Sequence, residues 1–306
     1  MKKLKVVLAL ITRDNDYQRE QGAVAEAAAK RLGMDLRLMY ADSNAIAQTQ
    51  QLFAVLRAAP PDRPDVLIVE PVGTSMTQVA RTAIGSGVGW IVLNREADDL
   101  RSLHSTTSVP IGRVLVDNVE VGRIQGRQFA ALLPSGGTAL YLEGPATDVA
   151  SQRRAGLLET LPANIQLQTT RGNWTEDSAL QVVRSFLQVQ WSETPGVGLI
   201  GCQNDAMAMG ARKALEALPA GPRREHWLKV PLTGCDGVPT SGQAWVQRGL
   251  LAATVVTPPL TGIALEKLAH AVRTGTPMPE RTLVAATSLP AVEVLRGRAP
   301  ARRATT

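Results

Sequence analysis

A chain of 306 residues exceeds what one hydrophobic core ordinarily supports, so two lobes of about 100–150 residues each are expected. Hydrophobic residues are 44% and charged residues 20%, the proportions of a soluble globular protein, and no run approaches the ~18 apolar residues that would make a membrane span. The net charge of +6 would suit nucleic acid. However, Arg153, Arg154, Arg223, Arg224, Arg296, Arg298, Arg302 and Arg303 are scattered without interleaved aromatics, which excludes that partner and leaves a solvated surface and a basic disordered tail over 298–306.

Taken in order, the chain alternates strand and helix. Leu4 to Ile11 reads as a strand, since its apolar run is too short for a signal peptide and no cleavage site follows. A helix over Gln18 to Leu32 ends at Gly33, and strands follow at Leu36 to Tyr40, Val66 to Val69 and Trp90 to Leu93, with helices between them at Asn44 to Ala58 and Ser75 to Gly85. Strands separated by such helices form right-handed βαβ units and a parallel sheet. The rhythm breaks over Ser102 to Val116, read as a crossing into a second lobe. It resumes with helices at Asn118 to Leu133, Asp148 to Thr160 and Glu176 to Gln188, alternating with strands at Thr138 to Leu142 and Ile165 to Thr170. Val197 to Leu218, VGLIGCQNDAMAMGARKALEAL, is a complete strand–loop–helix unit. Beyond it the pattern predicts strands at Lys229 to Thr233, Ala252 to Val256 and Arg281 to Ala286, and helices at Thr240 to Arg248 and Leu260 to Arg273.

In open α/β sheets ligands bind beyond the carboxyl ends of the strands. Those ends carry Arg13, Asp14, Asn15 and Asp16, then Asn94, Arg95 and Glu96, and in the second lobe Trp174, Gln203, Asn204, Asp205 and Asp236. Asn, Asp and Arg can bond paired hydroxyls, and an indole face can stack on a sugar ring. Any one of these residues is equally a cap or a surface charge, and either Asn204 or Asp205 is expected to cap the following helix. Their recurrence in both lobes points to a shared cleft. Cys202 and Cys235 have no metal-ligand partners and read as buried free thiols, with a disulfide as the alternative; His104, His226 and His270 fall in unrelated segments. No metal, cofactor or catalytic triad is therefore expected, and the chain does not read as an enzyme.

Five segments, WIVLNREA at Trp90 to Ala97, VLVDNVEVG at Val114 to Gly122, GCQNDAMAMGARKAL at Gly201 to Leu215, LTGCDGVP at Leu232 to Pro239 and LAATVVTPP at Leu251 to Pro259, carry a family resemblance. The chain resembles the type 1 periplasmic sugar-binding proteins of the ribose-binding kind and the related effector domains of LacI-type repressors. The resemblance implies two doubly wound lobes, 1–112 with 259–284 and 113–258 with 285–297. Three crossings near Val109 to Asp117, Val255 to Pro258 and Ala285 to Leu289 would let the lobes close on a ligand. By the same resemblance, Asn94 and Arg95 match an Asp-Arg pair that holds sugar hydroxyls, Asn204 and Asp236 match hydroxyl-binding residues, and Trp174 stands for a stacking Phe. Asp117 and Asn118 match a pair that opens the second lobe, as ligand contacts or as a helix cap.

The chain departs from the family at Arg13, Asn15 and Asp16, which replace an Asn and two stacking Phe, at Ser151, which replaces a ligand Arg, and at Thr257, which replaces a Gln; by the same resemblance Arg153 matches a neighbouring Arg with a structural role and is kept among the candidates for ligand binding. Arg13 beside Arg95 would favour an anionic sugar, unless Arg13 pairs with Asp14 or Asp16 and faces solvent. The expected function is a monomeric solute-binding protein delivering a monosaccharide or derivative to an ABC permease or chemoreceptor, periplasmic if a leader has been removed. The alternative is a cytoplasmic effector-sensing domain of a LacI-type regulator without its DNA-binding part.

Overall fold

In a computed structural model describing residues 3–72, 76–96, 108–189 and 196–296, the chain divides into two compact units, Met1–Val116 with Pro259–Val284 and Asp117–Pro258 with Ala285–Thr306. The expected tail over 298–306, His104 and the expected helix start at Ser75 lie outside the described residues.

The first unit runs β1 (Lys5–Leu10), α1 (Asp16–Leu32), β2 (Asp35–Tyr40), α2 (Ala45–Leu56), β3 (Val66–Val69), α3 (Thr77–Gly85), β4 (Gly89–Leu93) and β5 (Ile111–Val116). Its sheet is parallel throughout, in the order β11-β5-β4-β3-β1-β2, where β11 (Arg281–Val284) arrives late in the chain. The buried runs of β1, β3 and β4 are apolar on both faces, as strands covered by helices on both sides must be, and β5 departs from this only at the buried Arg113. The boundary expected after residue 112 falls inside β5, whose pairing with β4 and β11 carries the first unit to Val116.

The second unit repeats the order. It runs α4 (Asn118–Leu132), β6 (Gly137–Glu143), α5 (Asp148–Thr160), β7 (Ile165–Arg171), α6 (Glu176–Val189), β8 (Val197–Cys202), α7 (Asp205–Glu216), α8 (Pro222–Lys229), β9 (Leu232–Asp236), α9 (Ala244–Gln247) and β10 (Ala253–Val256). Its sheet is β12-β10-β9-β8-β6-β7, with β12 (Thr287–Leu289) antiparallel to β10. The helix expected over 240–248 is instead a π-helical turn at Pro239–Gln243 leading into α9, and the strand expected over 281–286 ends at Val284 before β12 begins. α8 and the closing helix α11 (Val292–Arg296) were not expected; the chain returns to the first unit through α10 (Leu260–Thr274) and β11.

In both sheets the first strand lies between the second and the third, so the winding reverses there: between β1 and β3, and between β6 and β8. In open α/β sheets such a reversal, beyond the carboxyl ends of the strands, is where ligands bind.

Helix packing in the second unit is set by missing side chains. A Cβ at Gly122 or at Gly156 would strike the backbone carbonyl of Arg153 or of Val119, so α4 and α5 touch backbone to backbone. A Cβ at Gly210 would likewise strike the carbonyl of Glu176, which draws α7 onto the start of α6. Both close approaches lie beside the carboxyl ends of the strands and place the residues described next.

Candidate functional site at the carboxyl ends of the strands

In the first unit the strand ends converge on a buried carboxylate. Glu70, the residue after β3, is 3% exposed. Its Oε2 accepts from Gln18 Nε2 at 2.8 Å and its Oε1 from Asn94 Nδ2 at 3.4 Å. Gln18 Oε1 in turn accepts from the Ile11 amide at 3.0 Å, and Gln48 of α2 donates to the Glu70 carbonyl at 2.9 Å. The ends of β1, β3 and β4 are thereby laced together by side chains. Burial pushes the Glu70 carboxyl above its ordinary value, against the opposing pull of Gln18, Asn94 and the Arg95 charge. Arg95 is half-buried, and its Nη1 is buried with no hydrogen-bond partner among the described residues. Its neighbour Glu96 is turned away to Arg113 at 3.0 Å and Arg281 at 2.9 Å, a tie between β5, β11 and the end of β4.

In the second unit the centre is a buried guanidinium. Arg153, 5% exposed on α5, donates Nε to Asn118 Oδ1 at 3.0 Å and Nη1 to the Gln203 carbonyl. Its guanidinium also lies 5.7 Å from the centroid of the Trp174 ring. That ring covers Gly144, where a Cβ would collide with it, and the Trp174 carbonyl accepts from Asn204 Nδ2 at 3.0 Å. Asn204 therefore has two roles, since its Oδ1 caps α7 at the Met207 amide. Asp205 is 3% exposed and faces inward: its carboxylate accepts from the Gly237 amide and the Thr254 hydroxyl, both at 2.7 Å. A side chain at Gly234 or Gly242 would run into it, so two glycines make its room. Thr257 holds the Asp236 carbonyl through its own amide at 3.0 Å.

Three of the residues expected to meet a ligand have left-handed backbone: Asn94 at φ 54°, Trp174 at φ 61° and Asp236 at φ 115°. Such conformations cost about 1–3 kcal/mol at a non-glycine residue and persist where the surroundings enforce them. Asn94 and Trp174 lie in loops beyond carboxyl ends of strands and Asp236 is the last residue of β9, and main-chain bonds hold the first and last of these: the Asn94 amide donates to the Val114 carbonyl at 2.9 Å and the Asp236 carbonyl accepts from the Thr257 amide at 3.0 Å.

Other expected residues have local partners instead. Asn15 caps α1 by accepting from the Gln18 amide at 2.8 Å, and Asp16 pairs with Arg19. Arg13 is exposed, as its solvent-facing alternative expected, but its guanidinium lies over the Tyr40 ring, 4.4 Å from the centroid, and makes no ion pair with Asp14 or Asp16 among the described residues. Ser151 is exposed on the first turn of α5. Asp117 caps α4 and Asn118 is taken by Arg153. Cys202 and Cys235 are free and buried, and burial pushes both thiols far above the ordinary range, which makes them inert packing residues. Sequence reasoning missed Glu70. The signal was there: a lone carboxylate directly after the apolar run VLIV, at a strand end like the others.

A family profile described as periplasmic binding protein domain matches residues 6–276. The chain belongs to that family. Curated relatives include the D-apiose import binding protein of Paraburkholderia graminis, 26% identical over 289 residues that cover 91% of this chain and 85% of that protein. The galactofuranose-binding protein YtfQ of Escherichia coli is 25% identical, covering 94% and 87%. Among solved structures, a periplasmic solute-binding protein of an ABC transporter from Actinobacillus succinogenes with bound D-allose superposes with a TM-score of 0.80 at 23% identity, covering 96% of this chain and 100% of that one. The two parallel-sheet α/β units described above are the fold of that solved relative.

Proposed function

We propose that this chain is a solute-binding protein that captures a neutral monosaccharide or cyclic polyol and presents it to an ABC permease, in the compartment outside the cytoplasmic membrane. The observation that carries the reading is the set of three left-handed residues, Asn94, Trp174 and Asp236, at the carboxyl ends of strands in sheets of this family's fold. An amide, an indole face and a carboxylate are what a ring carrying several hydroxyls needs. The relatives that match along most of the chain are binding proteins for D-apiose, ribose and galactofuranose, which favours import over the regulator alternative.

Neutrality follows from the charges. Glu70 offsets Arg95, Asp236 adds an acidic group, and Arg13 is engaged by Tyr40 rather than standing with Arg95 as a paired oxyanion clamp. A thermal-shift panel of D-apiose, D-ribose, D-allose, D-galactose and myo-inositol beside D-glucuronate and ribose 5-phosphate tests this. A ligand at a hundred times its Kd stabilises the native state by about 2.7 kcal/mol, so a binder is plain in the melting temperature. Failure of every neutral compound, or a stronger shift from an anion than from its neutral parent, would sink the reading.

A further inference from the structure

We propose that Gly144 is a positioning residue for the second unit's share of the binding site: by carrying no side chain it seats one face of the Trp174 indole on the backbone beyond β6, and so sets the room that a sugar ring has against the opposite face. The inference deepens the sugar-binding reading and rests on it.

The contact is with the flat surface of the ring. A Cβ on Gly144 would lie at similar short distances from Cζ2, Cη2 and Cε2, three adjacent atoms of the six-membered ring of Trp174. An approach in the plane of the ring would reach one of these atoms and leave its neighbours well behind, so the Cβ direction runs into the face. The backbone itself does not call for glycine. Gly144 is not among the residues with positive φ, and the following Pro145 favours extended backbone that any residue adopts.

Both main chains are held. The Gly144 amide donates to Oε1 of the fully buried Gln203 at 2.9 Å, and Gln203 Nε2 donates to the Ala150 carbonyl at 2.9 Å. Across from it, the Trp174 carbonyl accepts from Asn204 at 3.0 Å, the Asn173 amide donates to Ser178 Oγ at 2.9 Å, and Thr175 Oγ1 accepts from the Ser178 amide at 3.2 Å. A methyl group at position 144 therefore displaces the indole rather than the chain, away from Gly144 and into the space where a ligand ring would stack. The Arg153 guanidinium carbon, 5.7 Å from the ring centroid, is beyond the ~3.5–4.0 Å of flat stacking and does not take that place. A phenyl ring is shorter and has no atoms where Cζ2 and Cη2 lie, so phenylalanine at 174 leaves room for the methyl group.

The test uses the whole chain: wild type, Gly144→Ala, Trp174→Phe and the double variant. Without ligand, the Gly144 Hα signals of the wild type should lie well upfield of the usual glycine range, because they sit over an aromatic face. They should return to that range in Trp174→Asn, which tolerates left-handed backbone. Melting temperatures then close a cycle without ligand. Gly144→Ala should lower the melting temperature of the wild type but not that of Trp174→Phe, where the loss of unfolded-state freedom favours alanine. Calorimetry with D-apiose, D-ribose, D-allose and myo-inositol reads the site. For each compound that the wild type binds, Gly144→Ala should weaken binding about tenfold, and by less than about threefold when added to Trp174→Phe. Gly144 signals in the ordinary range, or equal losses on both backgrounds, would overturn the proposal. If Gly144→Ala does not fold, the double variant must fold as Trp174→Phe does, and its failure to do so counts against the contact. Should none of the four compounds bind the wild type, the sugar reading falls, and the Gly144 signals and the melting temperatures alone decide how Trp174 is seated.

Discussion

The two units share one strand order and solve the same problem with opposite charge. Where the winding reverses, the first unit buries a carboxylate bonded by amides, and the second buries a guanidinium bonded by an amide oxygen, a carbonyl and an indole face. The difference is more than sign. Glu70 has a charged neighbour, Arg95, and can also shed its own charge by taking a proton; Arg153 cannot lose its charge, so its neighbours must satisfy it permanently. One half is adjustable and the other is a fixed platform for Trp174.

The sharpest way to break this contrast is Arg153→Leu. It removes the group that holds Asn118, the Gln203 carbonyl and Trp174, and leaves buried acceptors unpaired at about 1–3 kcal/mol each, so denaturant unfolding should show a loss of about 3 kcal/mol. A loss below about 1 kcal/mol would mean the guanidinium is not the centre of that half. Next in size is Asp236→Asn, which keeps a side chain tolerant of left-handed backbone and deletes only the charge. Calorimetry with the best neutral sugar should show about a tenfold weaker Kd with unchanged melting temperature. Gly156→Ala forces α4 and α5 apart and should cost about 2 kcal/mol, although alanine favours helix; a stabilised variant would refute the backbone contact.

Asn15→Ala should cost about 1 kcal/mol of stability and leave sugar affinity untouched, which separates a cap from a ligand contact. The smallest effect concerns pH. Because burial raises Glu70 above its unfolded value of 4.5, the native state holds the proton more tightly than the unfolded chain. Its contribution to stability is full below 4.5 and declines as pH rises through the folded value. Glu70→Gln should remove that decline in a series of unfolding curves, and a wild type whose stability climbs identically in both proteins would contradict the buried position of the carboxyl.

Much of this was legible in the residues. Alternating apolar runs and helix signals predicted the parallel sheets, and with them the position of Asn94, Trp174, Asn204 and Asp236 at the carboxyl ends of strands. Glu70 directly follows the apolar run VLIV, yet nothing in the residues around it shows which strand lies beside β3 or which side chains face it. Only the pairing of β3 beside β1 brings it under Gln18. The π-helical turn at Pro239–Gln243 escaped for a similar reason: Gly242 is needed there to make room for the Asp205 carboxylate, which comes from a different element. Arg281 to Ala286 read as one strand because nothing in its composition marks Val284 as the last residue to pair with β5; the partners, not the residues, end β11.

The route of the chain through the first unit also bears on its birth. β11 and α10 complete that unit, yet they lie after residue 258, beyond nearly all of the second. Until α10 arrives, α1 lacks the cover provided where Thr261 bonds Gln21 through its hydroxyl at 2.7 Å and its amide at 3.1 Å, and Gly262 packs against Val24. A chain emerging from the ribosome at about 5–20 residues per second therefore spends on the order of ten seconds with a half-built amino-terminal unit. During that interval the second unit has most of its strands in hand, so the part made first is the part finished late, and a chaperone that shields the uncovered side of α1 would act over that interval.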